Sequence, residues 1–140
     1  MPPGRVAALA DAIRTVAPLD APADVRLHQF FRARKQMGRQ DRAFVAEGVF
    51  AFLRHKRSIE SLAATQDPRR LALATLVREM GKSVREIDAA LSGDEREWLA
   101  AFKSRIATLI YVNVGQPQMA GDLVDLSVRS AGGQTELVAA

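Results

Sequence analysis

Residues 40–64 read QDRAFVAEGVFAFLRHKRSIESLAA. Phe44, Val45, Val49, Phe52, Leu53, Ile59 and Leu62 fall within one half of a helical wheel, which predicts one long helix from about Gln40 to about Ala64. Phe50 projects from the other side. A helix apolar on more than one side is surrounded by neighbours, so this segment is read as the central helix. Gly48 inside it costs roughly 1 kcal/mol of helix propensity but permits a packed helix to approach closely.

The same periodicity extends in both directions. Toward the N-terminus, Val6, Leu9, Ile13 and Val16 mark a first helix, which Pro18 and Pro22 separate from a second. That second helix opens near Pro22 or Asp24, carries the stripe Leu27, Phe30, Phe31 with Met37 further on, and is expected to stop at Gly38. Toward the C-terminus, Asp67-Pro68 is an N-cap followed by proline at the first helical position. Leu71, Leu73, Leu76, Val77 and Met80 follow, with Gly81 as the stop. Ser83 with Glu86 and Ser92 with Glu95 are two capping boxes, the second preceding Trp98, Leu99, Phe102 and Ile106. The pattern predicts an all-α bundle of about six helices over residues 1–105.

From Ile106 the pattern changes. Leu109 to Val114 is rich in β-branched residues, Asp122 to Val128 reads as extended, and Gly115, Gly121, Gly132 and Gly133 interrupt. Residues 106–140 are therefore expected to form a divergent tail, loosely docked or partly disordered, with a short hairpin as the alternative.

Composition bounds the function. The 140 residues are 48% apolar and 26% charged, a globular composition with room for one core. The apolar runs are too short to span a bilayer and no secretory signal is apparent, so no membrane partner and a cytoplasmic location are expected. With no cysteine, thiol nucleophiles, Cys-bearing zinc sites, iron-sulfur clusters and disulfides are excluded. Glycine-rich phosphate loops and nucleophile elbows are missing too, so neither catalytic residues nor a cofactor are assigned to this chain. His28 and His55 are the only imidazoles and make a poor metal site, so no metal is expected.

Charge is the positive signal. The net charge of +4 is uneven: residues 1–105 hold 19 Lys+Arg against 13 Asp+Glu, whereas residues 106–140 hold one against three. Between Asp24 and Glu60, nine basic residues face four acidic ones, the footprint expected of an anionic partner. Arg32, Arg34, Lys35, Arg39 and Arg42 cluster around Gly38, with only Asp41 to offset them. Arg54, Lys56 and Arg57, beside His55, form a second cluster. Both are candidate phosphate contacts. The rival reading is a solvated face, and Arg34, which continues the Leu27-Phe30-Phe31 stripe, is alternatively a buried, carboxylate-paired arginine. The six phenylalanines suggest base-stacking platforms, but their helical spacing reads as core.

The stretch from Ala23 to Arg57, continued by Ser58-Ile59 and Pro68-Arg69-Arg70-Leu71, resembles the N-terminal domain of RsmB-like ribosomal RNA (cytosine-5-)-methyltransferases of the Nop/Sun family. The resemblance is strongest in Phe30-Phe31-Arg32-Ala33-Arg34-Lys35, Gly38, Asp41-Arg42, Val49 and Leu53-Arg54, then Asp94-Glu95-Arg96-Glu97-Trp98-Leu99. It implies a NusB-like helical fold that helps to hold ribosomal RNA. In that family a cysteine and S-adenosylmethionine, both in a following Rossmann-like domain, carry out the methylation. By resemblance, Arg32, Arg34, Lys35, Arg39 and Arg42 are the expected RNA contacts, with charge reversal at Arg39 and Arg42 expected to weaken binding without unfolding the bundle. The resemblance ends near Ile106, as it would in a truncated or frame-shifted product or in a short protein with its own tail. A NusB-like module that binds a protein partner is the alternative function.

Overall fold

The computed structural model describes residues 1–115, with side chains described as far as Thr108. Seven α-helices are present among them: α1 (Pro3–Val16), α2 (Ala23–Arg32), α3 (Arg39–Arg54), α4 (Lys56–Ala63), α5 (Pro68–Arg78), α6 (Val84–Ile87) and α7 (Gly93–Gly115). A 3-10 turn, Asp88–Ala90, links the last two. No strand occurs among the described residues, so the bundle is all-α as expected. The segment Asp122 to Val128, expected to be extended, and the glycines from Gly121 onward lie outside the described residues. Residues Met1–Ala100 pack as one compact unit.

Helix α1 buries Val6, Leu9, Ala10, Ala12, Ile13 and Val16 and packs against α2, α3, α5 and the 3-10 turn. The enclosed helix is α5, where every residue from Leu71 to Leu76 is buried, and α1, α3 and α4 all pack on it. Thr75 is the one buried polar residue among them, and its hydroxyl donates to the Leu71 carbonyl at 2.8 Å, which satisfies it locally. This corrects the reading of residues 40–64 as the central helix. Ala72 and Ala74, set between leucines, let neighbours close around α5 on all sides, whereas α3 keeps Phe50 exposed.

The 40–64 segment is also broken. At His55 the backbone leaves the helical region (φ −129°, ψ 29°) and the chain restarts as α4, which makes seven helices where six were expected. A straight helix of that length would run about 37 Å, against about 17 Å for α5. The break lets Ile59 and Ala63 bury against the bundle instead of carrying their apolar face past its end.

Helix starts follow the capping signals of the sequence. The Asp67 carboxylate accepts from the Arg70 amide at 3.0 Å. Ser83 and Glu86 exchange both bonds of a capping box, and so do Ser92 and Glu95, at 3.0 and 3.1 Å. Gly81 adopts φ +68° after α5, a left-handed turn that suits glycine. Gly48 serves close packing as expected: a Cβ there would lie 2.7 Å from Leu9 Cδ1, so its missing side chain is what admits α1.

Two ends differ from expectation. Helix α2 stops at Arg32, and Gly38, expected to end it, is the N-cap of α3 with ordinary extended geometry (φ −74°, ψ 171°). Helix α7 continues to Gly115, so residues 109–115, expected to be irregular or extended, are helical. β-Branched residues cost only a few tenths of a kcal/mol each, too little to stop a helix already nucleated at its capping box. No helix among the described residues is long and apolar enough to cross a membrane.

Candidate nucleic-acid interface

The early end of α2 decides the geometry of the first basic cluster. Arg32 closes α2, Arg34 and Lys35 lie in the connecting turn, and Arg39 and Arg42 open α3. The turn is built on the backbone by the Arg34 amide donating to the Phe31 carbonyl at 3.0 Å and the Met37 amide to the Arg34 carbonyl at 3.1 Å. Arg42 then locks it. Its Nε donates to the Met37 carbonyl at 2.8 Å and its Nη2 to the Arg34 carbonyl at 3.1 Å, with the guanidinium 5.3 Å from the centre of the Phe31 ring.

Arg34 is also engaged. Its guanidinium lies 3.8 Å over the Phe30 ring and 3.7 Å from Asp11 Oδ2, a carboxylate shared with Arg14 at 2.6 Å. It is thus carboxylate-paired, but 39% exposed rather than buried. Planar stacking and fork geometry make both roles specific to arginine.

Arg32, Lys35 and Arg39 are exposed, and none of their side chains has an ion pair or hydrogen bond among the described residues. Asp41 lines one groove with Arg32 and Lys35, but its charge is offset by a further cation: Arg5 Nε reaches its carboxylate at 2.6 Å, lying 5.8 Å over Phe44 as it does so. Sequence reasoning missed Arg5, which is 36 positions away and carries no local signal. Open grooves flank the turn, one floored by Pro2, Gly4 and Ala8 of the α1 region and the other lined by His28, Gln29 and Phe31 of α2. Arg32 and Lys35 line both. Gly38 caps α3 without a side-chain acceptor, so the positive end of the helix dipole adds to the potential here.

The second cluster divides similarly. Lys56 is paired with Glu60 at 2.9 Å, whereas Arg54 and Arg57 are exposed and unpaired among the described residues. His55 Nε2 lies 3.5 Å from Glu79, which also receives Arg78 at 2.6 Å. No group of three or more metal-ligating side chains occurs among the described residues. Of the phenylalanines, Phe30, Phe52 and Phe102 are buried. Phe31 and Phe44 are half-buried, and Phe50 alone is exposed, at 39%.

A carboxylate is held ionised between α5 and α7. Arg69 grips Glu95 through Nε at 2.8 Å and Nη2 at 3.2 Å while Nη2 also donates to the Ala90 carbonyl at 2.6 Å. The Arg69 hydrogen bond, opposed by desolvation and helped by the Ser92 amide, holds the Glu95 carboxyl below its usual range. This tie is structural and lies on the helices that carry no basic cluster.

No family model matches the chain, and no curated protein or solved structure matches it.

Proposed function

We propose that this chain is a non-catalytic RNA-binding domain of the NusB-like kind, which positions ribosomal RNA through a basic turn. The observation that supports this reading is the division of labour in the first cluster. Arg34 and Arg42 build and hold the turn, and Arg32, Lys35 and Arg39 stand on it exposed and unpaired among the described residues. A rigid turn fixes the backbone positions of these cations, so a positive surface is in place before phosphates arrive, and Arg5 offsets Asp41, the carboxylate that lines the same groove. The methyl transfer implied by the resemblance is not assigned to these residues: the cysteine it requires has no counterpart here, so S-adenosylmethionine chemistry belongs on this reading to a separate domain.

Fluorescent ribosomal RNA fragments titrated with the full chain at several salt concentrations test the reading. Expected are micromolar or tighter binding and a steep salt slope, both abolished in an Arg32→Glu/Lys35→Glu/Arg39→Glu variant of unchanged helical content. Absence of binding at low salt would refute it. A protein-interaction reading has one observation in its favour, the exposed Leu19 and Val25 near the start of α2. Salt-insensitive capture of a protein without RNA, abolished by Leu19→Ser, is its signature.

A further inference from the structure

The outer face of α3 joins the two clusters. Taken at 100° per residue, Arg39, Ala43, Ala46, Phe50 and Arg54 fall on one narrow stripe, opposite the buried Val45, Val49 and Phe52. Arg39 and Arg54 stand at its ends, about 22 Å apart along the axis. Phe50 lies one turn, about 6 Å, before Arg54, and Arg57 follows across the break at His55. Here the core reading of the phenylalanines fails at one position: Phe50 is exposed, one helical turn from Arg54, which is exposed and has no ion pair among the described residues.

We infer that Phe50, with Arg54 and Arg57, forms a second contact on the RNA, at which an unpaired base stacks on the phenyl ring while the guanidinium groups take its phosphate. This rests on the RNA-binding reading and names the substrate more closely: RNA with a loop or bulge about 16 Å beyond the segment held at Arg39. An exposed aromatic ring has a π-face that accepts any unstacked base, whereas bases stacked inside a duplex are closed to it. Charge selects this occupant over an apolar peptide, because the exposed cation one turn along the helix, Arg54, favours a phosphate-bearing one. Glu47, exposed one turn before Phe50, repels phosphates on its flank. Ala43 and Ala46 leave the path toward Arg39 unobstructed.

The test uses the full chain and two RNA hairpins of equal length, both closed by the same compact tetraloop whose bases stack on one another, one otherwise fully paired and one carrying in addition an internal bulge with 2-aminopurine as the unpaired base. Expected are quenching of the 2-aminopurine on binding, a drop of about ten-fold or more in affinity for the bulged RNA on Phe50→Ala, and little change for the paired one. Phe50→Trp should keep the quenching and Phe50→Leu should abolish it, since leucine supplies apolar area without a π-face. Thermal unfolding of each variant shows that the fold is retained. If Phe50→Ala binds both hairpins as the parent does, and the Arg32/Lys35/Arg39 variant binds neither, the stacking site is overturned and the RNA-binding reading stands. If the parent chain binds neither hairpin, both are overturned.

Discussion

Arg42 donates through Nε to the Met37 carbonyl at 2.8 Å, reaching back from the first turn of its own helix into the loop before it. A cation that reads in sequence as a surface phosphate contact is thereby part of the scaffold. The turn keeps its shape because a charged donor satisfies carbonyls that α2 would otherwise have used by continuing.

Arg42→Ala should therefore destabilise the fold by about 2 kcal/mol, since it removes two charge-assisted bonds from half-buried carbonyls. Arg42→Lys should recover less than half of this, because an ammonium cannot span the Arg34 and Met37 carbonyls as a planar fork does. Urea denaturation measures both. An Arg42→Ala midpoint equal to the parent's would show that the turn holds without it. Charge reversal at Arg42 should on this ground also perturb the turn, so Arg32, Lys35 and Arg39 are the positions at which to read RNA binding alone.

Single neutral substitutions at Arg32, Lys35 and Arg39 should each change stability by less than about 0.5 kcal/mol, as unpaired exposed residues do. Where the residue neutralises a phosphate, its substitution should also flatten the slope of log affinity against log salt by about 0.7 to 0.9. Lys56→Gln, which frees Glu60 instead of removing an available cation, should leave that slope unaltered. A slope unchanged by all of the first three would remove them from the interface.

Gly48→Ala should destabilise by about 1 kcal/mol despite the better helix propensity of alanine. The new methyl would sit 2.7 Å from Leu9 Cδ1, and Leu9 is fully buried, so its displacement costs more than the roughly 1 kcal/mol that alanine contributes. Leu9→Ala alone should cost about 2 to 5 kcal/mol. In that background the sign at Gly48 should reverse, with Gly48→Ala stabilising by about 1 kcal/mol as it fills part of the cavity. Equal effects in the two backgrounds would show that the close approach of α1 and α3 does not depend on this glycine.

Acid should weaken the fold through Glu95. Its folded carboxyl is held below the usual glutamate value by the Arg69 hydrogen bond, so its contribution is fully present above the unfolded value near 4.5 and disappears as pH falls through the folded one. Glu95→Gln should be less stable than the parent at pH 7 by about 1 kcal/mol, with the gap closing as the parent carboxyl protonates. Glu86, lowered by the Ser83 amide, adds a contribution of the same sign in both proteins. A gap that stays constant from neutral to strongly acidic pH would show that the charge of Glu95 contributes nothing.

Local chemistry by itself determined that this chain is helical, where most of its helices begin, and that its basic residues gather between Asp24 and Glu60. Asp67, Ser83 and Ser92 cap amides within three residues of themselves, so those starts are legible one turn at a time. Gly48 was legible for a related reason, because a glycine inside an apolar helix has few uses other than close packing. The break at His55 carries no glycine or proline to announce it; it depends on the length of α5, a neighbour in space. The end of α2 depends on Arg42, which lies beyond the turn that follows it. The sorting of the cations into structural and free ones was decided only by tertiary structure, because pairing depends on distance in space. Asp41 could not be known to be paired until Arg5, from the first turns of the chain, lay 2.6 Å away, and although the helical wheel set Phe50 apart, that no neighbour covers it was decided only by the packing.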